Sequence, residues 1–487
     1  MKNLKKLVLL HSNDMHGDFL AEQVDDKLVG GVSLLSGYVS RTRQEEPNTL
    51  YCIAGDMFRG SVIDQEFQGL STIEIMNMIS PDIVTLGNHE TDYGVAHLLF
   101  LEKCAKFPIV NANLYISTNH AHLFQPYKIL EVDGMKILFI GILTEEVMAQ
   151  TKNDGLIGTF VSVEDAAKEV ERICNAHNAI DIDFTVLLTH IGFEEDKKLA
   201  AALDPACGVD VIIGGHSHTF ITEPAKVNGI LIVQAGTGTD QIGRFDVTVD
   251  VDNNCVDSWT WQAIPINERT CPYDHDLEKL LSIYKNKTDE KYGRVITRFK
   301  RRLTHPERTQ ETELGAVFAD AMKESLGVDI FLLGSGSIRS DWMGPIVMLG
   351  DLAEGFPYDD AAYMVKVSGK QLKAMIRYML RDEVWQGVHS EFYQFSEGLR
   401  VVYDRAAHRF NEFTFEGVDI ADERIFTLGL QNFHFKNMGD IFQIDTREIY
   451  ANMKPRVIAT SCRSVLEEYL SDHQHLDHQA GGRLSVL

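Results

Sequence analysis

The chain has 487 residues, of which 71 are acidic and 46 are basic, so its formal net charge is −25 at pH 7. Such a negative charge argues against nucleic acid or an anionic membrane surface as the main partner. A chain of this length is too long for one hydrophobic core and predicts two domains.

The first apolar run, Leu7–Leu10, is too short for a signal-peptide core or a membrane span and predicts a β-strand instead. The seven cysteines are dispersed singly, without the paired spacings of disulfide frameworks or cysteine zinc sites. We therefore expect a cytoplasmic protein without a membrane partner. The sequence does not indicate an oligomeric state.

Up to about residue 265, short apolar runs rich in β-branched residues alternate with helix-like stretches, which is typical of a layered α/β domain. A helical pattern covers Ser162–His177. The predicted strands are Leu7–Leu10, Leu50–Ala54, Ile83–Leu86, Ile109–Val110, Met135–Gly141, Phe184–Thr189 and Val209–Ile213. We assign residues 1–265 to a first domain.

A helical connector is predicted over residues 266–300, because apolar residues recur there at helical spacing on one face. The residues of that face are Leu277, Leu280, Leu281 and Tyr284. Residues 301–487 form the predicted second domain, which again mixes helices and strands. Its predicted helices are Glu313–Leu326 and Ser368–Leu380, and its predicted strands are Ile330–Leu333 and Gly398–Tyr403.

Polar clusters follow five of the predicted strands of the first domain. The clusters are His11–Gly17, Gly55–Asp56, Gly87–Glu90, His190 and Gly214–His218. Each alone is more often a surface turn, but the carboxyl ends of strands in α/β sheets form one rim where ligands bind. Carboxylate, amide and imidazole groups together suit Mn, Zn, Co, Fe or Mg ions. The joint pattern therefore predicts a metal centre.

The order D-x-H, G-D, G-N-H-E, a single His and G-H-x-H resembles the calcineurin-like metallophosphoesterases. The longer segments LLHSNDMHG, AGDMFRGS, LGNHETDYG, NANLY and QAGTGTDQIGRFDV resemble the N-terminal domain of the two-domain 5′-nucleotidases, a group that includes UDP-sugar hydrolases and 2′,3′-cyclic phosphodiesterases. The resemblance implies a four-layered α/β/β/α catalytic domain, followed after a helical connector by a smaller α+β nucleotide-binding domain.

The same resemblance implies two divalent metal ions that share one carboxylate. One ion would be held by Asp14, His16, Asp56 and His218, and the other by Asp56, Asn88, His190 and His216. His89, oriented by Asp92, would donate to the phosphoryl group or to its leaving oxygen. Two such ions clamp phosphate oxygens and activate water, and they offset the negative charge of the chain near the substrate.

In the second half, ERTQETELGAVFADAM, DIFLLGSGSIRSDW, LAEGFPYDDAAYMVKVSGKQL and LQNFHFKNMGDIF resemble the nucleotide-binding domain of the same group. The substrate-binding residues that this implies are Arg308, Arg339, Tyr358, Asp360, Phe433 and Asp440. The arginines would hold charged or polar substrate groups, the two aromatic rings would stack on the base, and Asp440 would bind ribose hydroxyls. His434 and Phe435 are alternatives to Phe433.

Two of these positions depart from the family pattern. Tyr358 stands where the family has a phenylalanine, which keeps an aromatic ring. Asp360 stands where the family has an asparagine that reads the base. An ionised carboxylate accepts hydrogen bonds only, whereas an amide also donates. We therefore expect base recognition to differ from that of adenosine-preferring relatives.

These features predict a metal-dependent phosphomonoesterase that hydrolyses nucleotides to nucleoside and phosphate. Several alternatives remain open: a 2′,3′-cyclic nucleotide phosphodiesterase, a hydrolase of nucleotide sugars, sugar phosphates or dinucleotides, or a sulfur-ester hydrolase of related fold. A non-enzymatic nucleotide-binding protein is another, but every predicted ligand is present, as are His89 and Asp92, which argues against it.

Overall fold

A computed structural model of the chain describes residues 2–116, 118–144, 157–159, 162–177, 180–386 and 391–487. The chain divides into two compact units, Met1–Lys287 (unit 1) and Thr288–Leu487 (unit 2). The helix predicted for the connector is present as His275–Tyr292. Leu277 and Leu281 of this helix are buried in a core of unit 1, so that unit 1 extends past residue 265. The hinge role of residues 266–300 stays a prediction.

Unit 1 contains every strand that the sequence predicts for this half. Its strands are β1 (Leu4–Ser12), β2 (Glu22–Val24), β3 (Lys27–Val29), β4 (Thr49–Ala54), β5 (Ile83–Thr85), β6 (Ile109–Val110), β7 (Leu114–Ile116), β8 (Tyr127–Val132), β9 (Met135–Leu143), β10 (Ile157–Thr159), β11 (Phe184–His190), β12 (Val211–Ile213), β13 (Ala225–Val227), β14 (Ile230–Val233), β15 (Gln241–Asp250) and β16 (Cys255–Pro265). Its helices are α1 (Val32–Glu45), α2 (Val62–Glu66), α3 (Leu70–Ile79), α4 (Val95–Cys104), α5 (Val163–Ala176), α6 (Phe193–Ala202) and α7 (His275–Tyr292). The last residues of α7, from Thr288 on, belong to unit 2.

Two six-stranded sheets form the centre of unit 1, in the orders β16-β15-β1-β4-β5-β6 and β13-β14-β12-β11-β9-β8. Strands β1, β4, β5 and β6 are parallel, and so are β9, β11, β12 and β14. The antiparallel neighbours are at the outer positions of each sheet. The polar clusters therefore follow the carboxyl ends of β1, β4 and β5 in one sheet and of β11 and β12 in the other.

The alternation of side chains along β1 explains the layers, because successive residues of a strand point to opposite faces. Leu7 and Leu9 pack in the core shared by the two sheets. Val8 and Leu10 pack on the opposite face, in a core that includes residues of α1, α3, α4 and α7. Residues of α5 and α6 pack with the outer face of the second sheet. This arrangement confirms the predicted α/β/β/α layers.

Unit 2 has an α+β architecture, as predicted, with a five-stranded sheet β23-β19-β27-β22-β28 and a four-stranded sheet β26-β25-β24-β29. Its strands are β17 (Val295–Arg298), β18 (Leu303–Thr304), β19 (Ile330–Gly334), β20 (Trp342–Met343), β21 (Ile346–Met348), β22 (Ala362–Ser368), β23 (Tyr393–Phe395), β24 (Leu399–Asp404), β25 (Arg409–Phe415), β26 (Val418–Asp419), β27 (Ile425–Gln431), β28 (Arg456–Ala459) and β29 (Leu484–Val486). Its helices are α8 (Glu313–Leu326), α9 (Leu349–Gly355), α10 (Gly369–Met379), α11 (Asn432–Lys436), α12 (Met438–Phe442), α13 (Thr446–Asn452) and α14 (Cys462–Asp472).

Helix α8 has the boundaries that its sequence predicts. The hydroxyl of Thr312 accepts a hydrogen bond from the N–H of Gly315 at the start of the helix. Gly327 ends it with a left-handed φ of 64°. In the part of the chain that the structure describes, no helix is both long and apolar enough to cross a lipid bilayer.

Candidate metal centre

The seven predicted ligands all lie in the loops that follow β1, β4, β5, β11 and β12, or at the last residue of β11. Asp14, Asp56, Asn88 and His190 are buried. His16 and His216 are half-buried, and His218 is exposed. The cluster is therefore anchored in the interior and open to solvent on the side of His218.

Asp14, His16 and His218 form a first group of donor atoms. The Nε2 atoms of His16 and His218 are 3.0 Å apart, and Asp14 Oδ1 lies 4.0 Å from the first and 3.4 Å from the second. Donor atoms that bind one ion at about 2.0–2.2 Å are themselves about 3–4 Å apart. These three side chains fit one metal ion.

Asn88, His190 and His216 form a second group. Asn88 Oδ1 lies 3.2 Å from His190 Nε2 and 2.9 Å from His216 Nδ1. His190 Nδ1 lies 2.8 Å from the carbonyl oxygen of Ala54, so it donates there and leaves Nε2 as the metal-binding nitrogen. These three side chains fit a second ion.

Asp56 lies between the two groups. Its Oδ2 atom is 3.1 Å from His190 Nε2 and 3.9 Å from His16 Nε2. Its other oxygen accepts a hydrogen bond of 2.9 Å from the backbone N–H of His89. This is the position that a carboxylate shared by two ions needs.

Five of the seven predicted ligands have left-handed backbone conformations, which are uncommon for residues other than glycine. Their φ angles are 50° at Asp14, 49° at His16, 53° at Asp56, 81° at His216 and 52° at His218. Such conformations cost about 1–3 kcal/mol each and persist where the surroundings enforce them, most often at functional sites. Here the left-handed conformations orient side chains from separate loops towards one point.

The electrostatics of the buried groups favour a cation. Burial is the largest single effect and acts to raise the pKa values of Asp14 and Asp56, but the neighbouring histidines, His190 foremost, together outweigh it and lower both. Burial acts to lower the pKa of His190, but Asp56 and Asp14 raise it to about 10. A divalent ion would compensate the same carboxylates, so the residues present fit the predicted metal.

We expect metal binding to release a proton. Because the pKa of His190 is raised to about 10, its imidazole is protonated near neutral pH until a metal ion takes the place of the proton. Titration of metal-free protein with Mn²⁺ should release about one proton per chain, measured by calorimetry in two buffers of different ionisation enthalpy. Equal heats in both buffers would contradict the prediction, and the release should disappear at a pH above the pKa of His190.

His89 and Asp92 form a pair beside the ligands. His89 Nδ1 lies 2.8 Å from Asp92 Oδ2, within the short 3₁₀ turn that starts at His89. A ring nitrogen of His89 lies within 4.8 Å of donor atoms of His16 and Asp56. Because Asp92 engages Nδ1, a proton that passes to a substrate is carried by Nε2.

Two further residues hold the predicted ligands and their loops in place, although neither is predicted from the sequence. Glu90 accepts backbone N–H groups from Gly87, Asp56 and Met57 at 2.7, 3.1 and 2.7 Å. Burial and the charge of Asp56 raise the pKa of Glu90 to about 7. Asn13 donates to Asp14 Oδ2 at 2.7 Å. The one available signal was their position in the chain, because Asn13 directly precedes the predicted ligand Asp14 and Glu90 directly follows the predicted proton donor His89.

In unit 2 the structure brings some of the predicted substrate residues together. The guanidinium carbon of Arg339 lies 5.9 Å from the centre of the Tyr358 ring. Burial and the charge of Arg339 lower the pKa of Arg308, so these two arginines face the same region. Asp440 is exposed in the first turn of α12.

Asp360 and the three candidates for the second stacking position make different contacts. The Oδ2 atom of Asp360 accepts the backbone N–H of Phe433 at 3.1 Å, and burial raises the pKa of Asp360 to about 6. The ring of Phe435 stacks on Tyr363 with centroids 4.2 Å apart, and His434 is buried. Phe433 is half-buried, and its ring contacts that of His434 edge-to-face, with centroids 5.2 Å apart, rather than in a parallel stack.

Comparisons with known proteins agree with this architecture. The family model of the calcineurin-like phosphoesterases matches residues 7–220, and that of the 5′-nucleotidase C-terminal domain matches residues 291–445. The chain is 28% identical to mouse 5′-nucleotidase over 447 residues, which cover 82% of this chain and 75% of the mouse protein.

Two further relatives are bacterial. The trifunctional nucleotide phosphoesterase YfkN of Bacillus subtilis is 28% identical over 422 residues; the match covers 77% of this chain, but the chain spans only 28% of YfkN. The crystal structure of a 5′-nucleotidase precursor from Thermus thermophilus superposes with a TM-score of 0.83 at 25% identity and 99% coverage of both chains. The chain belongs to the two-domain 5′-nucleotidase family, in which a calcineurin-like phosphoesterase domain precedes a 5′-nucleotidase C-terminal domain.

Proposed function

We propose that the protein is a dinuclear metal-dependent phosphomonoesterase that hydrolyses nucleotides to nucleoside and phosphate. The observation that carries the proposal is the position of Asp56 between two groups of donor atoms, near His16 of one and His190 of the other, with the His89–Asp92 pair beside them. Membership of the family makes the chain a metal-dependent phosphoric ester hydrolase. The seven ligands, the roles of His89 and Asp92, and the substrate residues of unit 2 are parts of the proposal.

When bound, two divalent ions supply Lewis acidity to the phosphate oxygens and lower the pKa of water, to about 7 in the case of a single zinc. Asp56 would be the carboxylate shared by both ions. His89 donates a proton from Nε2 to the leaving oxygen, which otherwise departs as a basic alkoxide. Asp92 accepts the Nδ1–H, keeps the ring in place and stabilises its protonated form.

The nucleoside part of the substrate is assigned to unit 2. Arg308 and Arg339 present positive charge, and Tyr358 presents an aromatic ring beside them. Stacking of a base on an aromatic side chain contributes about 1–3 kcal/mol. Asp360, whose pKa burial raises to about 6, takes the place of an amide and accepts the N–H of Phe433.

Tyr358→Ala should raise KM for nucleoside monophosphates by about 5-fold to 150-fold and leave kcat and the turnover of small aryl phosphates nearly unchanged. The reason is that only nucleotides offer a base for the ring. Tyr273→Ala, which removes an exposed tyrosine of unit 1, is the matched control. An equal loss on both substrate classes would contradict the stacking role.

The experiment that tests the proposed function is phosphate release from a panel of mononucleotides, cyclic nucleotides, dinucleotides and nucleotide sugars, each with Mn²⁺, Co²⁺, Zn²⁺ and Mg²⁺. Release from 5′-mononucleotides with at least one of these ions is expected. Release from cyclic nucleotides alone would replace the proposal with a phosphodiesterase. Binding of nucleotides without turnover under any condition would make the chain a nucleotide-binding protein.

A second candidate substrate class is a nucleotide that carries a further group, such as a dinucleotide or nucleotide sugar. In unit 2, a cavity of about 640 Å³ has Arg339 among its lining residues. Trp342 lines the same cavity, with the guanidinium of Arg302 stacked 3.5 Å from its ring centre. These groups suit an aromatic second group. Beside the arginines, the cavity is also lined by the carboxyl groups of Asp341, Asp351 and Glu354. Faster turnover of dinucleotides than of mononucleotides would favour this candidate.

A cytoplasmic location is also part of the proposal. It is supported by the seven cysteines, all of which are free. The net charge of −25 supports the expectation that nucleic acid and anionic membranes are not partners.

A further inference from the structure

Arg59 contacts the pair of residues proposed to deliver the proton. Its Nε–H donates to Asp92 Oδ2 at 3.0 Å, and His89 Nδ1 lies 2.8 Å from the same oxygen. The three side chains are 17%, 6% and 11% exposed for Arg59, Asp92 and His89. One carboxylate oxygen, largely removed from solvent, is therefore held by two donors.

Arg59 is itself fixed by its surroundings. Its backbone has a left-handed φ of 65°, and its N–H donates to Asp64 Oδ2 at 2.9 Å. The hydroxyl of Tyr93 donates to the same Asp64 oxygen at 2.7 Å, and the guanidinium carbon lies 4.8 Å from the centre of the Tyr93 ring. Asp64 is fully buried and also accepts the hydroxyl of Thr72. The guanidinium of Arg59 is thus held in place by the backbone hydrogen bond to Asp64 and by the contact with the Tyr93 ring.

A carboxylate with a single hydrogen-bond partner can rotate about its Cα–Cβ and Cβ–Cγ bonds, and the partner ring moves with it. A second, fixed donor on the same oxygen leaves one orientation of the carboxylate. Proton transfer depends steeply on this geometry, since a misplacement of about 1 Å can cost about 10²-fold in rate.

We propose that Arg59 is a positioning residue, which holds the Asp92 carboxylate in the orientation that directs His89 at the leaving oxygen. This inference rests on the proposed role of His89 as proton donor. It assigns Arg59 an effect on the turnover number through Asp92, without a contact of Arg59 with the substrate.

The test compares substrates that differ in their need for a proton donor. Arg59→Gln should lower kcat for nucleoside monophosphates by about 10-fold to 100-fold, with KM nearly unchanged. p-Nitrophenyl phosphate has a leaving group that departs readily as an anion, and its kcat should fall by less than about 3-fold because no acid is needed. Arg59→Lys, which retains a positive donor, should recover part of the loss.

Arg43→Gln is the matched control, because Arg43 also pairs with an aspartate, Asp82, at 2.6 Å, but lies outside the site. For Arg43→Gln, the ratio of the activity on nucleoside monophosphates to that on p-nitrophenyl phosphate should equal the ratio for the unaltered protein. The decisive variant combines Arg59→Gln with His89→Asn. If Arg59 acts through His89, the second change should add no loss to His89→Asn.

Three results would overturn the inference. They are an equal loss on both substrates, a rise in KM that accounts for the whole effect, and a loss that persists in the His89→Asn background. If instead His89→Asn alone leaves nucleotide turnover intact, His89 is not the proton donor. The proposed positioning role of Arg59 then fails with it, because Arg59 is proposed to act through His89. A thermal melt for each variant shows whether a loss of activity reflects unfolding. If Arg59→Gln is unstable, the two substrates can be compared in Arg59→Lys, which changes the side chain less.

Discussion

Asp56→Asn is expected to reduce turnover on every phosphate ester by about 10³-fold or more. Asp56 Oδ2 lies between the two groups of donors, 3.1 Å from His190 Nε2 and 3.9 Å from His16 Nε2. An amide oxygen carries no full negative charge and cannot bridge two cations equally well. The change therefore removes several kcal/mol of the stabilisation that the ions give to the transition state.

The measurement is kcat with a nucleotide and with p-nitrophenyl phosphate, together with the metal content of the purified protein. Both substrates should lose activity to a similar extent, and the content should fall below two ions per chain. Asp25→Asn is the matched control, because Asp25 also has a left-handed φ, of 53°, in an exposed turn. Asn tolerates that conformation as well as Asp does, so backbone effects cancel. Retention of both ions and of turnover would contradict the bridging role.

The sequence predicts the centre of unit 1 well because its buried parallel strands are continuous apolar runs. Such runs mark strands that are covered on both faces. It did not predict β15 and β16, and for β16 the residues show why. Most residues of Cys255–Pro265 are exposed, so this strand has no apolar run. It is ordered by pairing along its length with Gln241–Asp250, a contact that no local pattern reveals.

The residue types of the candidate site and their places at strand ends could be predicted from the sequence. The distances between these residues and their backbone conformations could not. Asp14 and His218 come together only because two sheets pack face to face, which brings loops from both to one place. The left-handed conformations of five predicted ligands have only a weak sequence signal: aspartate and histidine adopt such conformations more often than most residues, but the large majority of them do not. Glu90 was overlooked because it bonds backbone N–H groups, and these bonds follow from the fold of the loops.

Unit 2 shows the same limit in its substrate residues. Asp360 differs from the amide of the family, and the sequence alone suggests a changed contact with the base. In the structure, one oxygen of Asp360 accepts the N–H of Phe433, so the side chain also orients an aromatic candidate. The contact joins residues 73 positions apart in the chain, through the neighbouring strands β22 and β27.

His89→Asn is expected to keep the metal ions and to lower kcat for nucleoside monophosphates by about 10²-fold to 10⁴-fold, the usual contribution of one acid–base group. The nucleoside leaves as a basic alkoxide and needs the proton. p-Nitrophenyl phosphate should lose far less activity, because its leaving group is weakly basic. The ratio of the two activities is the measurement, and His97→Asn, which alters a histidine that bonds the carbonyl of Gln68, is the control.

The metal content of the same variant decides between two roles for His89. A ring nitrogen of His89 lies within 4.8 Å of donor atoms of His16 and Asp56, so the distance alone would also allow a ligand. Asp92 engages Nδ1 at 2.8 Å, as expected for a proton donor whose ring must be oriented. If His89→Asn loses an ion and both substrates suffer equally, His89 is a ligand. If both ions remain and only the nucleotide is affected, the proton passes through His89.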